Sequence, residues 1–218
     1  MWRLRQPGQL TNQYVRPYYP LVPKPSHRDK LLDAGRKVMF ERGYRGAGVR
    51  DIAFEAGAPQ GSFTNHFRSK EAFASEVLDR YFDYLREIVQ ATLGDRSLSP
   101  RGRIRRYFDV ITGKLKAEKW ALGCLIGNLS LEVSAESKPL RTHLSKIFAE
   151  WREPFAACIG EAQAAGEIAN NFPARDLADF LLAGWHGAML RMKVDRSSKP
   201  LEQFKSIAFA TFLARRPR

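Results

Sequence analysis

Side chains with chemical potential are few and scattered in this chain. Histidines stand at 27, 66, 143 and 186, and the two cysteines at 124 and 158. There is no phosphate-binding loop, no His/Glu cluster at metal-ligand spacing, no carboxylate pair in an apolar setting and no Ser-His-Asp arrangement. The sequence therefore predicts no enzyme, no metal and no cofactor. What it offers instead is a recognition face. In VRDIAFEAGAPQGSFTNHFRSKEAF, residues 49–73, Phe63 and Phe67 are four apart and share one side of a helix. Gly61, Ser62 and Asn65 then face outward, flanked by Gln60, Thr64 and His66. Amide, hydroxyl and imidazole groups beside a glycine-sized gap suit a major groove. Gln and Asn pair bidentately with adenine, and Thr meets a thymine methyl or a phosphate. Arg50, His66, Lys70 and the amides that open the next helix would hold the phosphates.

That face needs a scaffold, and the surrounding residues predict one. Ile52 and small Ala53 supply the apolar contact of a short helix over Val49–Ala56, and Gly57 permits the tight turn that follows. A third helix runs from Pro59 to Phe67. Ahead of them, Ser26 and Asp29 form a capping box for a first helix that carries Leu31, Leu32, Val38 and Met39 and stops at Gly43. Ser69 caps a long helix to about Leu93. Further helices are expected near 101–117, 120–134, 137–165, 173–194 and 200–214, with breaks at GDRSLSP, Pro139, the 166–171 Gly/Asn cluster and SSKP. No β alternation or internal repeat is found, so the chain is expected to be all-α. By pattern alone, GSFTNHF also fits a short amphipathic helix with a solvated face.

Over residues 28–73 the sequence resembles the DNA-binding domain of TetR-family transcriptional repressors. The resemblance rests on FERGY at 40–44, RDIAFEAG at 50–57 and GSFTNHFRSKE at 61–71. It implies a homodimer on a pseudo-palindromic double-stranded operator, the two readers lying one helical turn apart, roughly 34–36 Å. One residue departs. Many members carry Tyr where Thr64 stands, and that Tyr commonly reaches the DNA backbone, beyond the span of Thr.

The organisation expected is a basic, proline-rich extension at 1–25, a helix-turn-helix domain at 26–73 and an effector-binding and dimerisation domain at 74–218. The extension holds five prolines, four basic residues and no acid. It reads either as a tail or as an arm that enters a minor groove. The full chain of 218 residues carries 36 Lys+Arg against 23 Asp+Glu, a net +13, which points to a polyanion without choosing one. Residues 1–75 hold 13 basic and 6 acidic residues and so only +7 of that total. A basic helical protein on an acidic membrane surface is the rival reading, but it has no need of the turn glycine or the GSFTNHF face. No stretch approaches the ~20 apolar residues of a membrane span, and the N-terminus lacks a signal's apolar core. A cytoplasmic, reduced protein with no membrane partner is expected. The arginines at 101, 103, 105 and 106 and at 215, 216 and 218 read as solvated charge.

For the second domain, the family resemblance implies a small effector and dimerisation through the last two helices. Leu177, Phe180, Leu181, Gly184, Trp185, Ala188 and Met192 make one apolar stripe; Leu201, Phe204, Ile207, Ala208, Phe209 and Phe212 make another. These could build a dimer interface or pack within one chain. GCLIGNLSLEV at 123–133 resembles the subgroup that senses electrophiles through a cysteine at that place, including N-ethylmaleimide-responsive repressors. Cys124 is then either a sensor or a small buried hydrophobe, while Cys158 looks structural. The alternative effector is a reversibly bound aromatic or lipophilic compound. Tyr81, Phe82, Phe108, Trp120, Trp151, Phe155 and Trp185 would line its cavity, with Asn128 and His186 as polar anchors. Most of these aromatics also read as core.

Overall fold

A computed structural model of the protein describes residues 27–214; the expected Ser26 cap, the 1–25 extension and Arg215, Arg216 and Arg218 lie outside them. The described residues form α1 (His27–Gly46), α2 (Val49–Glu55), α3 (Gly61–His66), α4 (Lys70–Leu93), α5 (Pro100–Ala117), α6 (Leu125–Val133), α7 (Lys138–Ala164), α8 (Ala174–Asp195) and α9 (Lys199–Ala210). The all-α expectation holds.

Helices α1–α3 and the start of α4 make a headpiece. Leu31, Leu32, Val38 and Met39 of α1 close over Ile52 and Ala53 of α2 and over Phe63. Phe63, Phe67 and Phe73 pack as a ring trio, their centroids 4.7–5.4 Å apart. Gly57 sits at φ +58, and the amides of Gly57 and Ala58 return to the carbonyls of Phe54 and Ala53, both at 3.0 Å. That pairing closes α2 with a left-handed residue, the backbone that the turn requires. The third helix is shorter than expected. Pro59 stays outside it because its carbonyl only accepts the first turn bond, from the Ser62 amide at 2.8 Å. α4 is capped by Ser69, whose hydroxyl accepts from the Ala72 amide at 3.0 Å. Its 24 residues span about 36 Å and join headpiece to body.

The largest departure lies at 118–124, where one helix was expected over 120–134. α5 instead ends in a closed turn: the Lys119 amide donates to the Lys116 carbonyl at 2.9 Å and the Trp120 amide to the Leu115 carbonyl at 3.0 Å. Lys119 (φ 50) and Trp120 (φ 62) are both left-handed, a backbone that non-glycine residues adopt at a cost. Extended chain then leads to Cys124, which is the N-cap of α6 rather than a mid-helix residue. Two arginines read as solvated charge are structural. Buried Arg103 donates to the last carbonyl of α4, Leu93, at 2.9 Å and pairs with Glu161. Arg101 donates to Phe209 and Leu213 carbonyls at 3.0 and 2.7 Å, closing the end of α9.

The apolar stripe expected on α8 mostly faces its own chain: Leu177, Leu181, Trp185 and Met192 are buried. A second stripe on the same helix is exposed, made of Phe180, Ala183, Gly187, Leu190 and Val194, with Ile207 of α9 also exposed. The expected stripe thus mixed two faces: Phe180, which it included, lies on the exposed one, and the other exposed residues of α8 fell outside it.

Candidate DNA interface and effector cavity

On the headpiece, Gln60, Gly61, Thr64, Asn65 and His66 are exposed, Ser62 is half-buried and Arg50 projects from α2. The face formed by α3 is therefore open to a groove. Two members are partly engaged already. The Thr64 hydroxyl donates to the Gly61 carbonyl at 3.0 Å. Lys70 donates to the Arg45 carbonyl at 3.3 Å and lies 4.6 Å from the centre of the Tyr44 ring; its partial burial lowers its pKa. Lys70 thus helps fix the end of α1 as well as offering charge. Phe54, one turn after Arg50, is 88% exposed and was not among the expected site residues.

Beneath α4 lies a cavity of about 660 Å³. α1 contributes Asp33, Arg36 and Phe40; α4 contributes Arg80, Tyr81 and Tyr84; α5 contributes Tyr107, Ile111 and Lys114. The 118–124 segment adds Leu122, Gly123 and Cys124, α7 adds Trp151, and α8 adds Trp185 and Met189. Its mouth is charged, with Arg80 held by Asp29 and Asp33 at 3.5 and 3.8 Å and Lys114 set 5.1 Å from the Tyr84 ring centre. Its depth is aromatic. Burial raises the pKa of Tyr81 and of Tyr107 well above the phenol range, so both remain hydrogen-bond donors.

Burial also pushes the Cys124 thiol up to about 11, although the amides of Gly127 and Ile126 and the Tyr81 hydroxyl act the other way. Cys158 is held by its own surroundings: its thiol donates to the Pro100 carbonyl at 3.1 Å, and burial raises it to about 11 as well.

The structure thus brings Tyr81, Cys124, Trp151 and Trp185 to one cavity. It places Asn128 and His186, with Cys124 again, on a second and smaller cavity. Phe82, Phe108 and Phe155 pack in the core, and Trp120 packs against that core; none of these four lines either cavity. Phe40 and Arg36 were missed because they belong to the headpiece, and no local pattern announces that α1 folds against α4. Among the described residues no helix is long and apolar enough to cross a membrane.

Comparison with known proteins decides the family. Residues 31–77 match the bacterial regulatory proteins of the tetR family, and residues 100–208 match the tetracyclin repressor-like C-terminal domain. The chain is 45% identical over 186 residues to the HTH-type transcriptional repressor DhaR of Mycobacterium sp. strain GP1, covering 85% of this chain and 92% of that one. The protein belongs to the TetR family. Another family member, the repressor NemR of Escherichia coli K12, is 32% identical, with 80% of this chain and 88% of NemR covered. Among solved structures, a TetR regulatory protein from Rhodobacter sphaeroides superposes with a TM-score of 0.78 at 32% identity, over 84% of this chain and 95% of that one. The reduced form of E. coli NemR superposes with 0.77 at 26% identity, over 88% and 99%. As a TetR-family protein the chain is a DNA-binding transcriptional regulator and not an enzyme, and regulators of this family bind operator DNA and act as dimers.

Proposed function

We propose that this protein is a dimeric repressor that leaves its operator when a small aromatic or lipophilic compound fills the 660 Å³ cavity. The observation that carries the reading is that α1 of the headpiece and α8 of the body line the same cavity. An occupant touching Phe40 at one end and Trp185 at the other has a different fit for each headpiece position, and that difference is the free energy available to shift the equilibrium. Gln60, Gly61, Ser62, Thr64, Asn65 and His66 would read a pseudo-palindromic site, while Arg50 and Lys70 would hold phosphates. Exposed Phe180, Leu190, Val194 and Ile207 would meet their counterparts across a two-fold axis.

The test is a gel shift on the DNA upstream of the protein's own gene, repeated across salt and with compounds preselected by thermal shift. Sequence-selective binding released by a compound that raises the melting temperature supports the reading. Salt-dependent binding without sequence preference would refute it, because phosphate contacts alone give that result.

Modification of Cys124 is the second reading, favoured by the position of the thiol in the wall of both cavities. With the thiol near 11, only about one in 10⁴ molecules is ionised at pH 7. An electrophile would therefore act on Cys124 after docking in the cavity rather than by encounter from bulk solvent. Release by an electrophile that is equal in wild type and Cys124→Ser would refute this reading.

A further inference from the structure

The smaller cavity, of about 200 Å³, lies between α6 and α8. It shares Gly123, Cys124 and Met189 with the larger one, and its exposed rim is Leu131 and Leu190. Its wall contains no Asp, Glu, Lys or Arg. Yet two of its residues carry buried polar atoms without a hydrogen-bond partner, Nδ2 of Asn128 and Nε2 of His186. Protein interiors rarely leave such atoms unpaired, and two on one small cavity call for a physical cause.

Both side chains are held in place. The His186 Nδ1–H donates to the Leu182 carbonyl at 2.8 Å. Phe148 and Trp151 meet the imidazole edge-on, at 5.7 and 5.2 Å between centroids. Burial lowers the His186 pKa, so the ring is neutral. Because Nδ1 carries the proton, Nε2 presents a lone pair. Two glycines, Gly123 and Gly127, border these side chains. A Cβ on Gly127 would stand 3.3 Å from His186 Cδ2, and a Cβ on Gly123 would stand 3.4 Å from the Asn128 side-chain oxygen. Gly127 thus leaves room for the imidazole, whereas a Cβ at Gly123 would only touch Asn128 at ordinary contact distance.

The complementary occupant follows from these groups. Asn128 donates and His186 accepts within one cavity of about 200 Å³, so the occupant must be small and present one acceptor and one donor. A wall without charged side chains disfavours ions, which would lose their hydration without a partner. At ~30 Å³ per water-sized group the space admits about seven non-hydrogen atoms. We propose that this cavity is a second ligand site, for small neutral hydroxyl compounds with an adjacent oxygen acceptor: vicinal diols and α-hydroxy ketones. The acceptor oxygen takes the Asn128 N–H and the hydroxyl donates to His186 Nε2.

The test uses the full-length protein with propane-1,2-diol and hydroxyacetone as probes and 1,2-dimethoxyethane, which accepts but cannot donate, as the control. Melting temperature should rise saturably with either probe. The control should need at least about tenfold more, since a site built around hydrogen bonds discriminates against the analogue that lacks one. Asn128→Leu and His186→Phe, with helical content retained, should each lose the saturable shift. Because either variant could disturb α6 or α8, the wild-type protein supplies a second readout. The ¹⁵N resonance of His186 Nε2 should move along the same titration curve as the melting temperature. A response that is linear, that the variants share, or that leaves the Nε2 resonance in place would overturn the assignment. Operator binding without any probe is measured alongside, so failure of the second site and failure of the repressor reading are separable.

Discussion

Replacing Gly57 with Ala isolates the geometry of the reading head from its chemistry. Gly57 is left-handed at φ +58, and a Cβ placed there meets nothing within 4 Å, so the substitution adds backbone strain and no clash. That strain amounts to ~1–2 kcal/mol for a non-glycine residue, a fall in melting temperature of about 2–8 °C for a chain of this size. Gly166 is the control. It is also left-handed, at φ +69, with nothing within 4 Å, and it closes α7 through the same pair of bonds, from the Gly166 amide at 3.0 Å and the Glu167 amide at 2.8 Å. Gly57→Ala should therefore lose stability, though less than Gly166→Ala, because part of its strain relaxes in the free headpiece. Only the first should weaken operator binding. A free headpiece can relax the strained turn between α2 and α3, whereas one locked in a groove cannot. At ~1 kcal/mol for each of two headpieces, affinity falls by up to about 30-fold. Calorimetry and a fluorescence-anisotropy titration on the same operator measure both effects, and Gly57→Asn should recover part of each because Asn tolerates this backbone. Equal operator affinity for the two alanine variants, or full stability in Gly57→Ala, would refute the reasoning.

Three further outcomes are expected. The rate of Cys124 alkylation in Cys158→Ala should climb about tenfold per pH unit from neutrality to pH 10, because the thiol is pushed up to about 11 and the thiolate is the nucleophile; a plateau below pH 9 would contradict that environment. Arg103→Met leaves the Leu93 carbonyl unpaired and removes one partner of Glu161. It should cost about 2–3 kcal/mol in urea unfolding, whereas the neighbouring Arg106→Met, an exposed site, should stay within ~0.5 kcal/mol. Leu190→Glu, on the 52% exposed position of the outer α8 stripe, should yield a folded monomer in sedimentation velocity; an unchanged dimer would move the interface elsewhere.

The reading head was legible because its signals are local. Gly57 in the turn and Ser69 before α4 each constrain backbone within a few residues and take the expected geometry; Phe63 and Phe67 are both buried as expected, although Phe67 is the extended C-cap of α3 rather than a helical residue. The expected helix at 120–134 failed for the converse reason. Its residues have the right periodicity, but α5 closes at Lys119 and Trp120 in left-handed backbone that no glycine or proline announces. Arg101 and Arg103 were read as solvated because the carbonyls they cap are distant in sequence or on another helix: Phe209 of α9, Leu213 just beyond it, and Leu93 of α4.

The class of the molecule was legible from the residues alone: all-helical, a DNA-binding regulator with a helix-turn-helix, for which a mostly uncharged face rather than the +13 of the full chain is the proposed source of specificity. Tertiary structure alone decided which aromatics line a cavity and which fill the core, and which α8 stripe is left exposed. It also moved Asn128 and His186 from the large aromatic cavity to a smaller one whose other walls are mostly apolar. Periodicity reports which side of a helix is apolar, through 3.6 residues per turn. A cavity is made by side chains from helices far apart in the chain, and only their packing settles where those side chains meet.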